Sequence, residues 1–169
     1  MTTHGGRLPA EASRFFGRSG EYAASADALG RSRLVTLTGP GGVGKTRLAV
    51  KVAAERAQAF PDGVFLADLS AARDAAAAAR TVAAAAGLPD QAGRPAWAEG
   101  EGAEAQGAGP EGAGAGWLAG RLRGQRPLLI LDTCEHLVDE CAALAGALLR
   151  AGGPVLHPAG DAGRRPPVL

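Results

Sequence analysis

The chain has 169 residues and a net charge of +1, a length that suits one domain and a balance that implies no polyanionic partner. Its hydrophobic fraction of 46% is largely alanine and aromatics make up only 4%, so each core residue is expected to remove little apolar surface from water. No apolar run is long enough to span a membrane, and Met1-Thr-Thr-His-Gly-Gly-Arg7 lacks the apolar centre of a signal peptide, which makes the cytoplasm the expected compartment.

Residues 1–30 read as an arm and a helix leading into the domain. Phe15 and Phe16 serve there as an expected hydrophobic anchor, and Tyr22 to Leu29 has helix-compatible spacing. Leu34 to Thr38 is a β-branched, apolar run expected to form a buried strand. It breaks into a loop of four glycines and one proline, Gly39 to Gly44, and Lys45-Thr46 then opens a segment with helical periodicity. This is G-x-x-x-x-G-K-[ST] with a strand before it and a helix after it, the context that gives the pattern meaning. Glycines let successive backbone N–H groups turn around an anion, because no Cβ blocks positive φ or the approach of phosphate. The helix N-terminus adds unpaired donors and a positive dipole end. Lys45 is then expected to reach the β- and γ-phosphates of a nucleotide and Thr46 to ligate Mg²⁺. The only lysines are Lys45 and Lys51, every other basic side chain being arginine. A compact ammonium therefore stands where a phosphate clamp uses one.

Leu48, Ala49, Val52, Ala53 and Ala57 share one helical face, and Pro61-Asp-Gly63 marks a turn after Phe60. Val64 to Leu69 reads as a second buried strand, and Ala71 to Ala86 as an alanine-rich helix ending at Gly87. Asp90 to Gly116 is a Gly/Ala/Glu/Pro stretch with little to bury and no periodicity, expected to be a disordered insert in which Trp97 either docks locally or faces solvent. A short amphipathic helix is expected from Trp117. Arg126-Pro-Leu-Leu-Ile-Leu-Asp132 then reads as a buried parallel strand, four apolar residues ending in an acid, at the strand end where open α/β sheets bind ligands. Asp132 is the candidate to hold Mg²⁺ directly or through water; the plainer alternative is an acid capping the next helix. That helix is expected to begin at Glu135 and His136, with Leu137, Cys141, Leu144 and Leu148 as its apolar stripe. His136 reads as a packed or surface histidine rather than a base. Cys134 and Cys141, seven apart on it, would be buried thiols roughly 10 Å apart by helix rise, beyond disulfide reach.

Taken together, Leu8-Pro9, Phe16-Gly-Arg18 with Glu21, Leu34 to Ala49, Phe60 to Val64, Asp68-Leu69 and Leu129 to Leu137 resemble the nucleotide-binding module of STAND-type P-loop ATPases. This is the NB-ARC-like domain of large bacterial transcriptional regulators of the LuxR and SARP kinds. The likeness covers about residues 8–88 and 117–156. It implies an α/β fold, a P-loop NTPase three-layer sandwich with a mainly parallel sheet, incomplete at the C-terminus. The strand after the Asp132 strand would lie between that strand and the phosphate-loop strand. It implies ATP or ADP with Mg²⁺ as ligands, contacts from Gly39, Gly41, Gly42, Val43, Gly44, Lys45, Thr46 and Arg47, and Gly17 and Arg18 near the adenine and ribose. It also implies a switch in which the bound nucleotide sets the posture of neighbouring domains of a parent regulator, with no direct nucleic-acid contact by this segment and no membrane partner.

Two departures accompany the resemblance. Thr133 stands where the family commonly has asparagine, and neither is the acid that activates water in faster relatives; Glu135 is the nearest carboxylate. After Leu156 the family continues with a segment whose arginine senses the γ-phosphate, whereas this chain reads His157-Pro-Ala-Gly-Asp-Ala-Gly-Arg-Arg-Pro-Pro-Val-Leu169. One permissible back-translation of this tail, read one base later, gives Thr-Pro-Arg-Glu-Thr-Leu-Gly-Val-Asp. The expectation is a domain over residues 31–156 and a tail over 157–169 that is out of frame, with Arg164 and Arg165 carrying no inherited role. The family's last core strand would then be missing, leaving the phosphate-loop strand with an open edge. Nucleotide binding with weak hydrolysis or none follows. A small P-loop kinase or NTPase is the alternative, disfavoured because Gly100 to Gly116 has no arginine for an acceptor lid; a degenerate fragment that binds nothing is a third reading.

Overall fold

The computed structural model describes residues 8, 17–88, 110–152 and 155–158. Helix α1 (Ser19–Arg31) leads into strand β1 (Leu34–Leu37), the glycine loop, and helix α2 (Lys45–Glu55) with a 3₁₀ turn at Ala57–Ala59. Strand β2 (Val64–Asp68), helices α3 (Ala75–Ala85) and α4 (Pro110–Arg121), strand β3 (Leu128–Asp132), helix α5 (Val138–Ala151) and strand β4 (Val155–Pro158) follow. The protein is α/β, with a four-stranded sheet in the order β1-β4-β3-β2. Every pairing is parallel. β4 thus lies between β3 and β1, as the resemblance implies, and β1 is an edge of the described sheet.

Because side chains alternate along a strand, the central run of β3 serves two cores. Leu128 and Ile130 face α1 and α2, in a cluster with Ala26, Leu29, Leu48, Val52 and Ala53. Leu129 and Leu131 face the other way, toward Val82 of α3, Leu118 of α4, Leu122 just after it, and Leu144 and Leu148 of α5. Burial on both faces is why these strands read as continuous apolar runs. The result is three layers: α1 and α2, the sheet, and α3 to α5. Helix α1 is part of the body rather than a lead-in: the Tyr22 hydroxyl donates to Glu55 of α2, whose carboxylate also meets Lys51 Nζ at 2.7 Å.

Several boundaries differ from the sequence reading. The stretch expected to be a disordered insert over 90–116 ends in helix, since α4 starts at Pro110. Its glycines disfavour a helix in isolation, but Ala115 and Trp117 pack on the core that Leu118 and Leu122 enter, and tertiary burial overrides propensity. Residues 90–109, with Trp97, lie outside the described residues, as do Phe15 and Phe16. Helix α3 begins at Ala75, four residues later than expected, because the Asp74 carboxylate accepts from Ala77 N at 2.6 Å and caps it. Asp74→Ala is expected to lower stability by about 0.5–2 kcal/mol, measurable by urea denaturation. Helix α5 begins at Val138 rather than Glu135, because the chain first turns through Thr133 at φ +58. Strand β4 runs on through His157 and Pro158, paired with Thr36 and Leu37, so the expected break after Leu156 falls inside a strand. Backbone pairing does not depend on which side chains the strand carries. Residues 159–169, including Arg164 and Arg165, lie outside the described residues. Among the described residues no helix is long and apolar enough to cross a membrane.

Candidate functional site

Parallel pairing puts the C-terminal ends of all four strands at one edge, and the groups singled out from sequence gather there. The glycine loop leaves β1 and delivers the chain into α2. Gly39, Gly42 and Gly44 have φ of +154, +73 and +89, a conformation open to residues without a Cβ. A Cβ on Gly39 would meet Val43 Cγ1 at 3.4 Å. Gly44 is the N-cap of α2, and no side chain caps that helix, so the amides of its first turn keep their donors for a ligand. Gly41 and Gly42 are exposed at the tip of the loop, and Val43 is half-buried behind it.

Lys45 curls back over the loop, its Nζ donating to the carbonyls of Gly39 at 3.0 Å and Pro40 at 3.1 Å. The ammonium therefore lies against the loop. Thr46, one residue on, points to the sheet: its hydroxyl donates to Asp132 Oδ1 at 2.9 Å, joining residues 86 apart in sequence. A hydroxyl and a carboxylate side by side form the hard-oxygen pair that suits Mg²⁺. Asp132 is half-buried at the end of β3. Since it engages Thr46 and not the amides of α5, the capping alternative does not describe it.

A cavity of about 330 Å³ opens between α1 and the loop, walled by Arg18, Ser25, Thr38, Pro40, Val43 and Lys45. Arg18 thus shares a wall with Lys45, and its guanidinium approaches Gly44, where an added Cβ would lie 3.7 Å from Nη1. Gly17, at φ +79, is the turn that sets Arg18 at the head of α1. Arg47 is exposed on the first turn of α2.

One residue that the sequence reading did not place in the site stands beside it. Asp68 ends β2 in register with Asp132, and the Leu69 amide donates to the Asp132 carbonyl at 2.9 Å. The Ser70 amide, donating to Asp68 Oδ1 at 3.0 Å, holds the Asp68 carboxyl below the usual carboxylate range. The signal was available: Val64 to Asp68, like Leu128 to Asp132, is an apolar run closed by an acid. Glu135 is exposed in the turn before α5, and His136 Nε2 lies 2.9 Å from the Ala72 carbonyl, so the imidazole links two loops.

The thiols are closer than helix spacing implied. Cys134 precedes α5 instead of lying on it, and its Sγ–H donates to the Leu131 carbonyl at 3.4 Å with the Cys141 thiol beside it. Both are free and buried. The neighbouring thiol and burial push the Cys134 thiol up. Neither thiol is expected to react with a disulfide reagent at pH 8 in the native chain, and both are expected to react once it is unfolded in urea. Rapid labelling of the folded protein would contradict this placement.

No family model matches the chain. An uncharacterized protein of Mycobacterium tuberculosis (strain ATCC 25618 / H37Rv) is 37% identical over 137 residues, covering 81% of this chain and 30% of that protein. A protein of the same strain named "Putative HTH-type transcriptional regulator" is 41% identical over 123 residues, covering 73% of this chain and 12% of that one. The chain thus spans less than a third of the length of these relatives. Among solved structures, the Pif1 helicase from Candida albicans aligns with 92% of this chain and 35% of its own, with a TM-score of 0.43 and 19% identity, a likeness too loose to bear on the site.

Proposed function

We propose that the chain is an ATP- or ADP-binding switch module, an NB-ARC-like domain of the STAND P-loop class, and part of a longer transcriptional regulator. The observation that carries the reading is the Thr46–Asp132 hydrogen bond, which joins the start of α2 to the end of β3 beside a left-handed glycine loop closed by Lys45. Two separate sequence signals meet there, and a chance glycine loop would have no reason to find the acid. The likeness to a protein named as an HTH-type transcriptional regulator supports the regulatory context.

In this reading the loop amides and Lys45 bind the phosphates, while Thr46 and Asp132 hold Mg²⁺, which when bound neutralises phosphate charge. Arg18, on the shared cavity wall, faces the nucleoside end, with Gly17 setting its position. Hydrolysis is slow or absent. Asp68 accepts from the Ser70 amide at 3.0 Å and Glu135 is exposed in the turn before α5; among the described residues neither carboxylate is hydrogen-bonded to the Thr46–Asp132 pair. A phosphate cradle binds without accelerating chemistry unless charge developing in the transition state is stabilised. DNA contact belongs to other parts of the regulator.

The test is nucleotide binding with and without Mg²⁺, comparing the wild-type chain with Asp132→Ala. Wild type is expected to bind ATP more tightly with Mg²⁺ than without, and Asp132→Ala to lose that gain while keeping its metal-free affinity. An unchanged Mg²⁺ gain in Asp132→Ala would remove Asp132 from the site. Steady turnover on a small acceptor would favour a kinase.

A further inference from the structure

A serine interrupts the apolar side of α1. Ala23, Ala24, Ala26 and Ala28 surround it in sequence, yet Ser25, only 6% exposed, is the one buried polar residue among the described residues. A hydroxyl taken out of water is costly unless it is hydrogen-bonded. The proton is accounted for: Ser25 Oγ donates to the Glu21 carbonyl, one turn back along the helix, at 2.7 Å. A hydroxyl has one proton and two lone pairs. With its proton held by the helix, Ser25 has lone pairs alone to offer the cavity that it lines between α1 and the glycine loop.

That cavity, about 330 Å³, falls at the lower end of the size of small-molecule sites, roughly 300–1,000 Å³. Lys45 lines it from the loop side and Arg18 from the head of α1, while Ala24, Leu37 and Val43 add apolar wall. A flat base with an apolar face and a polar edge suits such a lining.

We propose that Ser25 is a specificity-determining residue for the nucleobase: its Oγ accepts a hydrogen bond from the exocyclic amino group of adenine, held in the cavity between α1 and the glycine loop. This deepens the nucleotide reading and rests on it. A hydroxyl with an uncommitted proton turns to suit a donor or an acceptor and selects neither. Ser25 differs because its proton is engaged by the Glu21 carbonyl. A purine with an oxygen in place of that amino group sets lone pairs against lone pairs, and relief comes only by giving up the bond to Glu21. A site built to pair with one substrate group rejects an analogue lacking it, because the buried protein group is left without a partner.

The experiment uses the full chain with Mg²⁺ and measures the affinity of wild type and Ser25→Ala for three ligands: ATP, purine riboside triphosphate and inorganic tripolyphosphate. Purine riboside triphosphate is ATP without the exocyclic amino group, and tripolyphosphate has no base at all. Alanine is the stronger helix former and fits within the space of serine, so α1 is retained in the variant. Wild type is expected to bind ATP about tenfold more tightly than purine riboside triphosphate, the scale on which a buried acceptor left without its donor is penalised. In Ser25→Ala that preference should shrink to within about twofold, with tripolyphosphate affinity unchanged within about twofold. Equal affinity of wild type for ATP and purine riboside triphosphate overturns the proposal, and so does a Ser25→Ala that keeps the wild-type preference. An equal loss for all three ligands also overturns it, since that marks a purely structural role. In each of these cases binding of tripolyphosphate by wild type leaves the phosphate loop standing; a wild type that binds none of the three overturns the nucleotide reading and the role of Ser25 together.

Discussion

Lys45→Ala is expected to weaken ATP binding by roughly two orders of magnitude or more while leaving the fold in place. The ammonium lies against the loop, donating to the Gly39 and Pro40 carbonyls at 3.0 and 3.1 Å. With phosphate present, it is the group free to exchange those neutral acceptors for charged ones. Hydrogen bonds to charged groups contribute about 1.5–3 kcal/mol each, so two of them correspond to a factor of roughly 10² to 10⁴ in affinity. No neighbouring lysine can substitute: Lys51 is paired with Glu55 at 2.7 Å, one and a half turns further along α2. Because Lys45 is only half-buried, its thermal midpoint should change little. Calorimetric titration with ATP and Mg²⁺ on both proteins checks it. Equal affinities would separate the loop from the ligand.

The largest effect on stability is expected at Ile130. It sits in the middle of β3, fully buried, against side chains of α1 and of α2, the helix that the glycine loop leads into. Truncation of a buried isoleucine to alanine costs about 2–5 kcal/mol, depending on how far the site can collapse. Collapse is limited here, since several neighbours in that cluster, Ala26, Ala49 and Ala53, are already alanine and have no atoms to lend. The upper half of the range follows, a large share of the roughly 5–15 kcal/mol that holds a domain folded. Val138→Ala, at a residue 49% exposed, should by contrast stay within about 0.5 kcal/mol. Urea denaturation of the two variants measures both. Similar losses would mean that β3 is not the shared wall of two cores.

What was legible in the sequence follows from what each segment's chemistry constrains locally. The loop could be read because glycines, a lysine and a threonine at fixed spacing have one physical use between a strand and a helix. Leu128 to Asp132 could be read because a run buried on both faces needs no periodicity. The order of the strands came from family resemblance, since no local pattern states that β4 enters between β1 and β3. Helix α4 was hidden for the opposite reason: its glycines speak against a helix, and only packing on the alanine-rich α3 and on α5 makes them one. The Cys134–Cys141 contact and the start of α5 both depended on a left-handed threonine, a conformation that nothing in a Thr-Cys-Glu-His run announces. Asp68 was overlooked because an acid at a strand end is common; what distinguishes it is its place in register with Asp132.

The backbone amides between Gly39 and Thr46 are expected to converge on a polyphosphate. Following the amide resonances of the isotopically labelled chain during titration with ATP and Mg²⁺ tests it most directly. The largest, saturable shifts are expected on Gly41 to Thr46, with Asp132 responding only when Mg²⁺ is present. Shifts confined to other parts of the sheet, or a loop that stays silent at saturating nucleotide, would contradict it.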